Sequence, residues 1–273
     1  MHETVYSADP ELRRPSRFLR DSASDLVRSR SAAFALFVAN LRAQHRRAWL
    51  GYLWLLIPAL ATAGVCALMQ SRRIVAVGAT ELPYPLFVLT GMVLWQAFLD
   101  GLNAPIEQLG KARQVITRSA APHEAVIGAA ALQALLGAAI RLAVLAAALA
   151  FWRTPLAATA ILFPLGMLAL LVLGLAVGLL AAPLGLLYDD IARGLFLGAA
   201  MLFFLTPVAY PLPRDGLFRL NPVGLLVATS RDWLTGPGAG LPFAAVAAAA
   251  LAALVIAWLF YRLARPHVVA RLG

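Results

Sequence analysis

A basic amphipathic segment runs directly into a strongly apolar one between Phe34 and Pro58. Phe34, Phe37, Val38 and Leu41 recur at positions i, i+3, i+4 and i+7, so a helix would carry them on one side as an apolar stripe. A helix of this kind lies at the headgroup level of a bilayer and leads the chain into it. The sequence therefore predicts an interfacial helix that is followed at once by a membrane span.

The end of this segment carries the residue types that membranes hold at their surface. Arg46 closes the stripe, and Gly51 and Trp54 stand at the start of the apolar run. Anionic headgroups attract arginine, and tryptophan is enriched at the membrane–water boundary. The candidate functional residues of the interfacial helix are Phe34, Phe37, Leu41, Arg46 and Trp54.

The composition is typical of a chain that is built mostly inside a membrane. Hydrophobic residues make up 62% of the 273 residues and charged residues 13%, against about half and about one quarter in soluble domains. A net charge of +10 can indicate nucleic-acid binding, but here the basic residues cluster beside the apolar segments, where lipid headgroups attract them. We therefore expect an integral membrane protein without a nucleic-acid partner.

Six segments have roughly the 20 apolar residues that a helix needs to cross the hydrocarbon layer. They predict an all-α integral membrane protein with six transmembrane helices. The bias of arginine and lysine near the ends of the spans favours a cytoplasmic location for both termini. The predicted spans are 51–69, 84–102, 125–151, 156–180, 194–210 and 241–261.

These spans divide the chain into three parts. Residues 1–50 are expected to form a cytoplasmic N-terminus with the interfacial helix and no cleavable signal peptide, 51–262 the transmembrane domain, and 263–273 a cytoplasmic tail. The outer stretch 211–240 is too apolar to form a loop that is fully exposed to water. We expect it to contain one or two short helices that re-enter the outer half of the membrane, because non-helical backbone there must be buried by protein.

The inner connection 103–124 is long, polar and compatible with a helix. One interpretation is a short cytoplasmic helix that docks a partner and passes on its motion, and the other is a solvated loop. Gly110 and Lys111 do not form a phosphate loop, because Pro105 and Ala112 replace the first glycine and the Ser/Thr of that pattern. The candidate docking residues are Glu107, Leu109, Lys111, Arg113 and Arg118.

Arg141 lies well inside the third predicted span. An arginine in the hydrocarbon layer costs about 2.5–3.5 kcal/mol on insertion scales, so it usually faces a cavity or a partner. Contact with an anionic group of a substrate is one interpretation. A structural bond to a carbonyl or a carboxylate of a neighbouring helix is the other.

Aromatic residues concentrate near the outer end of the fifth predicted span and in the stretch that follows. They fit an interfacial aromatic belt, and they fit equally a stacking surface or gate for sugar rings. Together with Arg141, the candidate channel or gate residues are Phe203, Phe204, Tyr210 and Phe218.

No arrangement of residues that would indicate catalysis stands out in the sequence. Asp189 and Asp190 are adjacent, so their side chains diverge on a helix, and helix capping with an ion pair to Arg193 explains them better than a metal site. The four histidines fall in polar or basic stretches without ligand-type partners. We expect a transport subunit rather than an enzyme, without its own cofactor or metal.

Motifs along most of the chain resemble those of ABC transporter permeases that export surface polysaccharides. The family's signature before the first span is matched at Arg46, Leu50, Gly51, Leu53, Trp54 and Pro58 and is departed from at Ala39, Asn40, Gln44, His45 and Ala48. Segments similar to later family motifs follow in the family's order: 84–98 (YPLFVLTGMVLWQAF), 118–124, 186–193 (LLYDDIAR), 203–211 (FFLTPVAYP), 220–222 (LNP) and the tail 262–273. Departures there include Ala121, His123 and Asp189.

The resemblance implies a homodimer of six-span subunits in the bacterial cytoplasmic (inner) membrane, each paired with a separate ABC ATPase subunit that binds ATP and magnesium. The interfacial helix and the connection 103–124 would contact the ATPase, and the re-entrant helices of 211–240 would form an outer gate. The implied substrate is a lipid-linked polysaccharide, such as the O-antigen of lipopolysaccharide, capsule or teichoic acid. It would pass through a channel at the dimer interface.

Other functions stay open at this point. The chain could be an ABC permease for a drug or another lipid. It could be an ion-coupled secondary transporter, although such proteins usually place several ionisable groups at the membrane midplane. An intramembrane glycosyltransferase or phosphotransferase is disfavoured because no carboxylate cluster suggests a metal site.

Overall fold

The computed structural model of the chain describes residues 15–47, 53–72, 81–118, 123–211, 220–238 and 240–272. Within these ranges there are helices and no strand, which confirms the predicted all-α class. A 3-10 helix, Ala158–Leu162, precedes α5. The α-helices are α1 (Pro15–Arg47), α2 (Leu53–Ser71), α3 (Tyr84–Arg118), α4 (His123–Phe151), α5 (Phe163–Leu187), α6 (Asp189–Leu205), α7 (Pro222–Thr235) and α8 (Gly240–Leu272).

Four helical segments in the described ranges are long and apolar enough to cross a membrane. They lie in α3, α4, the 3-10 helix together with α5, and α8, and they match the second, third, fourth and sixth predicted spans. α2 and α6 match the first and fifth, but α6 has 17 residues. At about 1.5 Å per residue it is about 26 Å long, short of the roughly 30 Å of hydrocarbon. The protein is membrane-embedded through four helices, and the count of six stays a prediction.

The inner connection differs from its predicted form. α3 runs without a break from Tyr84 to Arg118, so residues 103–118 prolong the second predicted span and form neither a separate short helix nor a loop. Most residues after Pro105 are good helix formers, and Leu109 anchors this part of the helix because its side chain is fully buried. In the same way α8 continues to Leu272, so residues 263–272 of the predicted tail belong to the last helix.

α3 and α5 meet backbone to backbone near the middle of the bundle. A Cβ atom added to Gly174 would overlap the carbonyl oxygen of Phe98, and one added to Gly178 would overlap that of Leu102. Small residues allow membrane helices to approach this closely. The core around α3 is apolar, and its fully buried members on this helix include Leu86, Val88, Val93 and Leu94.

α1 begins well before the predicted apolar stripe and packs lengthwise against α4. Its bundle side carries small residues such as Ala33, which is buried beside Gly128 of α4. Phe34, on the stripe, is 59% exposed, and its ring lies 6.1 Å from that of the half-buried Phe37. The helix therefore turns small residues to the protein and leaves large apolar ones available to lipid.

Candidate functional site

Arg141 of α4 forms an ion pair with Asp100 of α3. The guanidinium donates through Nη1 to Oδ2 and through Nη2 to Oδ1, the latter over 3.2 Å. The Arg141 side chain is only 3% exposed. Of the two interpretations of Arg141, this contact is the structural one, with a carboxylate on a neighbouring helix. A buried arginine without an anion would be far more costly than the pair.

Asp100 was not among the site residues predicted from the sequence. It lies inside the second predicted span, and a carboxylate within a span is itself unusual. That signal, set beside Arg141 in the next span, was available to suggest the pair, because consecutive elements of a chain are usually adjacent in space.

The end of α3 carries the predicted docking residues, and they do not share one environment. Glu107 and Lys111 are exposed and form an ion pair of 3.3 Å one turn apart. Leu109 is completely buried and cannot face a partner, so we reassign it to the core. Arg113 and Arg118 lie in the last turns of α3, and their side chains lie outside the described residues.

A polar chain connects α1 to this end of α3. The Asn40 amide donates to Gln108 Oε1 over 3.1 Å, and the Gln108 amide donates to Gln133 Oε1 of α4 over 2.8 Å. Leu41 is half-buried. Arg46 and Trp54 lie in α1 and α2, and their side chains lie outside the described residues.

A cluster of charges joins α1, α4 and α8. Glu124 is buried at the start of α4 and faces Arg262 at 3.5 Å and Arg265 at 3.7 Å. Arg262 also reaches Asp25 of α1 at 2.5 Å. These residues lie in separate stretches of the sequence that were predicted to be cytoplasmic. They can pair because α8 continues as a helix beyond its apolar part.

His123 makes a contact that the sequence did not predict. The sequence places it in a polar stretch without ligand-type partners, and in the structure its side chain is buried, with Nδ1 2.9 Å from the hydroxyl of Tyr261 in α8. The contact fastens the first turn of α4 to α8, beside the charge cluster. No three His, Cys, Asp or Glu side chains of the described residues lie close enough together to hold a metal ion.

Two of the predicted aromatic gate residues contact each other. The rings of Phe203 and Phe204 meet edge to face, with centroids 5.7 Å apart. Phe203 is half-buried and also meets Trp95 of α3 edge to face, with ring centroids 5.5 Å apart, whereas Phe204 is 73% exposed. The hydroxyl of Tyr210 donates to the carbonyl of Phe204 over 2.7 Å, and Phe218 lies outside the described residues. A stacking surface or gate for sugar rings stays a prediction.

The stretch 211–240 contains one described helix, α7, whose inner side is buried against α3, α5 and the 3-10 helix. Asn221 caps it by accepting from the amide of Val223 over 3.0 Å, and Trp233 packs its ring on Phe243 of α8 at 4.5 Å. A short helix in this stretch was predicted. Its depth in the membrane stays a prediction.

α6 presents an apolar face that the described part of the chain does not cover. At its start, Arg193 pairs with Asp190 at 3.2 Å in an exposed position, which is the ion pair predicted for these residues. Further along, its exposed apolar residues are Phe196, Leu197, Met201, Phe204 and Leu205.

No protein-family model matches this chain, and no curated protein aligns with it significantly. The likeness to polysaccharide-exporting permeases therefore stays a resemblance of sequence motifs.

Proposed function

We propose that this chain is the membrane subunit of an ABC exporter that moves a lipid-linked surface polysaccharide across the bacterial cytoplasmic membrane. A homodimer would form the channel, and ATP would be bound and hydrolysed with magnesium by a separate ATPase subunit. The chain itself would perform no covalent chemistry, and its termini would lie in the cytoplasm.

The observation that carries the proposal is that motifs far apart in sequence meet in space. At the beginning of α3, side chains of the motif 84–98 contact 203–211 and a residue of α7, whose cap Asn221 belongs to the motif 220–222. Beyond the opposite end of α3, Glu124 of the motif 118–124 meets the arginines of the tail. The motifs that resemble one family thus form two contact clusters, one at each end of the bundle. This arrangement is expected if both ends have a role in transport.

The length of α3 supports a docking surface for an ATPase. Its 35 residues extend for about 52 Å, while the hydrocarbon layer is about 30 Å thick. About 20 Å of charged helix therefore projects beyond the hydrocarbon. Glu107 and Lys111 are exposed on this projection, and α1 is fastened beside it through Gln108.

The uncovered face of α6 supports a second copy of the chain as partner. Four large apolar residues stand on it within nine positions, from Phe196 to Phe204. Such a face requires lipid or protein to cover it. In a homodimer it would form part of the channel wall, where aromatic and aliphatic surface without fixed charge lets a long glycan slide.

The Asp100–Arg141 pair favours one other function. Ion-coupled secondary transporters place ionisable residues inside the bundle, and a carboxylate that exchanges its partner for a proton is one such device. In that case the chain would transport its substrate without an ATPase. The two charges of the pair neutralise each other, however, and a structural role accounts for the pair fully.

A deletion strain tests the proposal. Loss of this chain should remove the surface polysaccharide and leave lipid-linked glycan inside the cell, and the wild-type chain should restore export. Inactivation of the partner ATPase should give the same phenotype. Unchanged surface glycan in the deletion strain, or normal export with an inactive ATPase, would contradict it.

A further inference from the structure

The chain leaves the helical conformation where α6 ends, and the carbonyl groups of this segment, 205–209, are bound by side chains from elsewhere. The oxygen of Leu205 accepts from Asn221, those of Pro207 and Val208 accept from Arg231, and that of Ala209 accepts from Tyr84. Non-helical backbone at membrane depth is stable only when protein satisfies its polar groups. These three side chains do so for four carbonyls.

Arg231 of α7 makes two of these bonds through one nitrogen. Its Nη2 donates to Pro207 over 3.0 Å and to Val208 over 2.8 Å, and its guanidinium carbon lies 3.7 Å from the centre of the Phe87 ring in α3. The residue is 5% exposed. Arginine stays protonated in proteins, so the group keeps both the donors and the attraction to the ring.

The surroundings are shaped to receive this guanidinium. Gly91 of α3 lies directly beside it, and a Cβ at that position would overlap both Nη2 of Arg231 and the carbonyl oxygen of Val208. A lysine could not reproduce the arrangement, because it lacks the planar group that stacks on a ring. One side chain thus connects α7, the end of α6 and the beginning of α3.

Further bonds hold α7 at both ends. The amide of Asn221 donates to the hydroxyl oxygen of Thr206 over 3.0 Å in addition to its bond with Leu205. At the other end, the hydroxyl of Thr159 donates to the carbonyl of Trp233 over 2.8 Å. α7 is therefore tied to its neighbours through polar contacts as well as apolar ones.

We infer that Arg231 is a positioning residue for the outer end of the transport path. Its contacts hold α7, the segment 205–209 and the start of α3 together as one rigid unit. An outlet therefore opens when this unit moves as a whole and not when α7 moves alone. Where the inference concerns export, it rests on the proposed function. The exchange measurement below does not.

The exchange of backbone amides with deuterium, measured on the full chain in lipid nanodiscs, tests the positioning role directly. In Arg231→Met, which keeps length and apolar bulk but removes the donors, we expect the amides of Thr206, Val208 and Ala209 to exchange at least tenfold faster, with α5 unchanged. Arg231→Lys should give an intermediate acceleration, and it remains informative if the methionine variant fails to fold. Arg193→Met, which removes an exposed arginine of α6, is the matched control and should change nothing in 206–209.

Export with the partner ATPase gives the functional readout. Arg231→Met should lose most export while ATP hydrolysis continues, and Arg231→Lys should recover part of it, whereas a merely destabilising change would lower both in parallel. Unchanged exchange in 206–209, or export and hydrolysis falling together, would overturn the positioning role. If the wild-type chain exports no glycan, the proposed function fails, while the exchange result still decides whether Arg231 positions this segment.

Discussion

The carboxylate of Asp100 and the guanidinium of Arg141 face each other between α3 and α4, and 41 positions of sequence separate them. Each is the other's ionic partner, and the Arg141 side chain is buried. Removal of one partner leaves an uncompensated charge, and this generally costs more than replacement of both by apolar residues.

Arg141→Leu and Asp100→Asn should each destabilise the protein by about 3 kcal/mol or more, because a buried pair is broken. The double variant Arg141→Met/Asp100→Leu should recover a large part of the loss. Thermal unfolding in detergent measures this, with the amount of inserted protein as a second readout. If Arg141→Leu inserts and unfolds like the wild type but no longer exports, the arginine contacts the substrate and the structural assignment is wrong.

Gly174→Ala should destabilise the contact between α3 and α5 by about 1–3 kcal/mol, because the new methyl group meets a backbone carbonyl that cannot rotate away. Gly64→Ala in α2 is the control, since nothing in the described part of the chain lies within 4 Å of its added Cβ. The control should be neutral or slightly stabilising, because alanine is the better helix former. Equal shifts in melting temperature for the two variants would show that α3 and α5 do not meet in this way.

Glu124→Gln should lower stability by about 3 kcal/mol, because two largely buried arginines lose the anion that faces them. Asp25→Asn removes a carboxylate that is 42% exposed, so we expect a loss of about 1 kcal/mol or less. Denaturation in detergent, followed by tryptophan fluorescence, compares the two. A larger loss for Asp25→Asn would mean that α1, and not α4, organises the charge cluster.

Glu107→Ala should uncouple export from ATP hydrolysis without loss of folded protein. Its pair with Lys111 is exposed on both sides, so stability should change by less than about 0.5 kcal/mol. Asp190→Ala removes a comparable exposed pair on α6 and should leave coupling intact. Export at wild-type level in Glu107→Ala would count against a docking role for the end of α3.

Hydrophobic periodicity was sufficient to predict an all-α chain and the positions of the apolar helices. It did not predict that α3 and α8 continue without a break through the polar residues of the inner connection and of the tail. A helix continues through such residues when tertiary contacts hold it, as Leu109 does in α3 and Arg262 in α8. Those contacts join distant parts of the chain, and a local pattern cannot reveal them.

The glycines show the same limit. Gly174 and Gly178 have the same spacing as Gly194 and Gly198, and this spacing fits close helix packing, either within the chain or across a dimer. Within the described part of the chain, the first pair touches another backbone, while nothing lies within 4 Å of a Cβ added to either glycine of the second pair. Spacing places two small residues on one side of a helix but does not say whether another helix lies there.

Arg231 lies in the outer stretch 211–240, where the sequence singles it out for no role, yet it is buried against Phe87 of α3. The signal available in the sequence was the non-helical TPVAYP that follows α6, whose carbonyls require donors. Which side chain would supply them could not be derived without knowing that α7 folds back onto this segment.

The most direct test is transport by the purified chain in proteoliposomes, with and without an ABC ATPase subunit, and with a lipid-linked glycan as substrate. We predict that glycan becomes accessible to an added glycosidase only with ATP, magnesium and an active ATPase, and that a variant of the ATPase unable to hydrolyse ATP abolishes this. Glycan movement by the chain alone, driven by an ion gradient, would contradict the account.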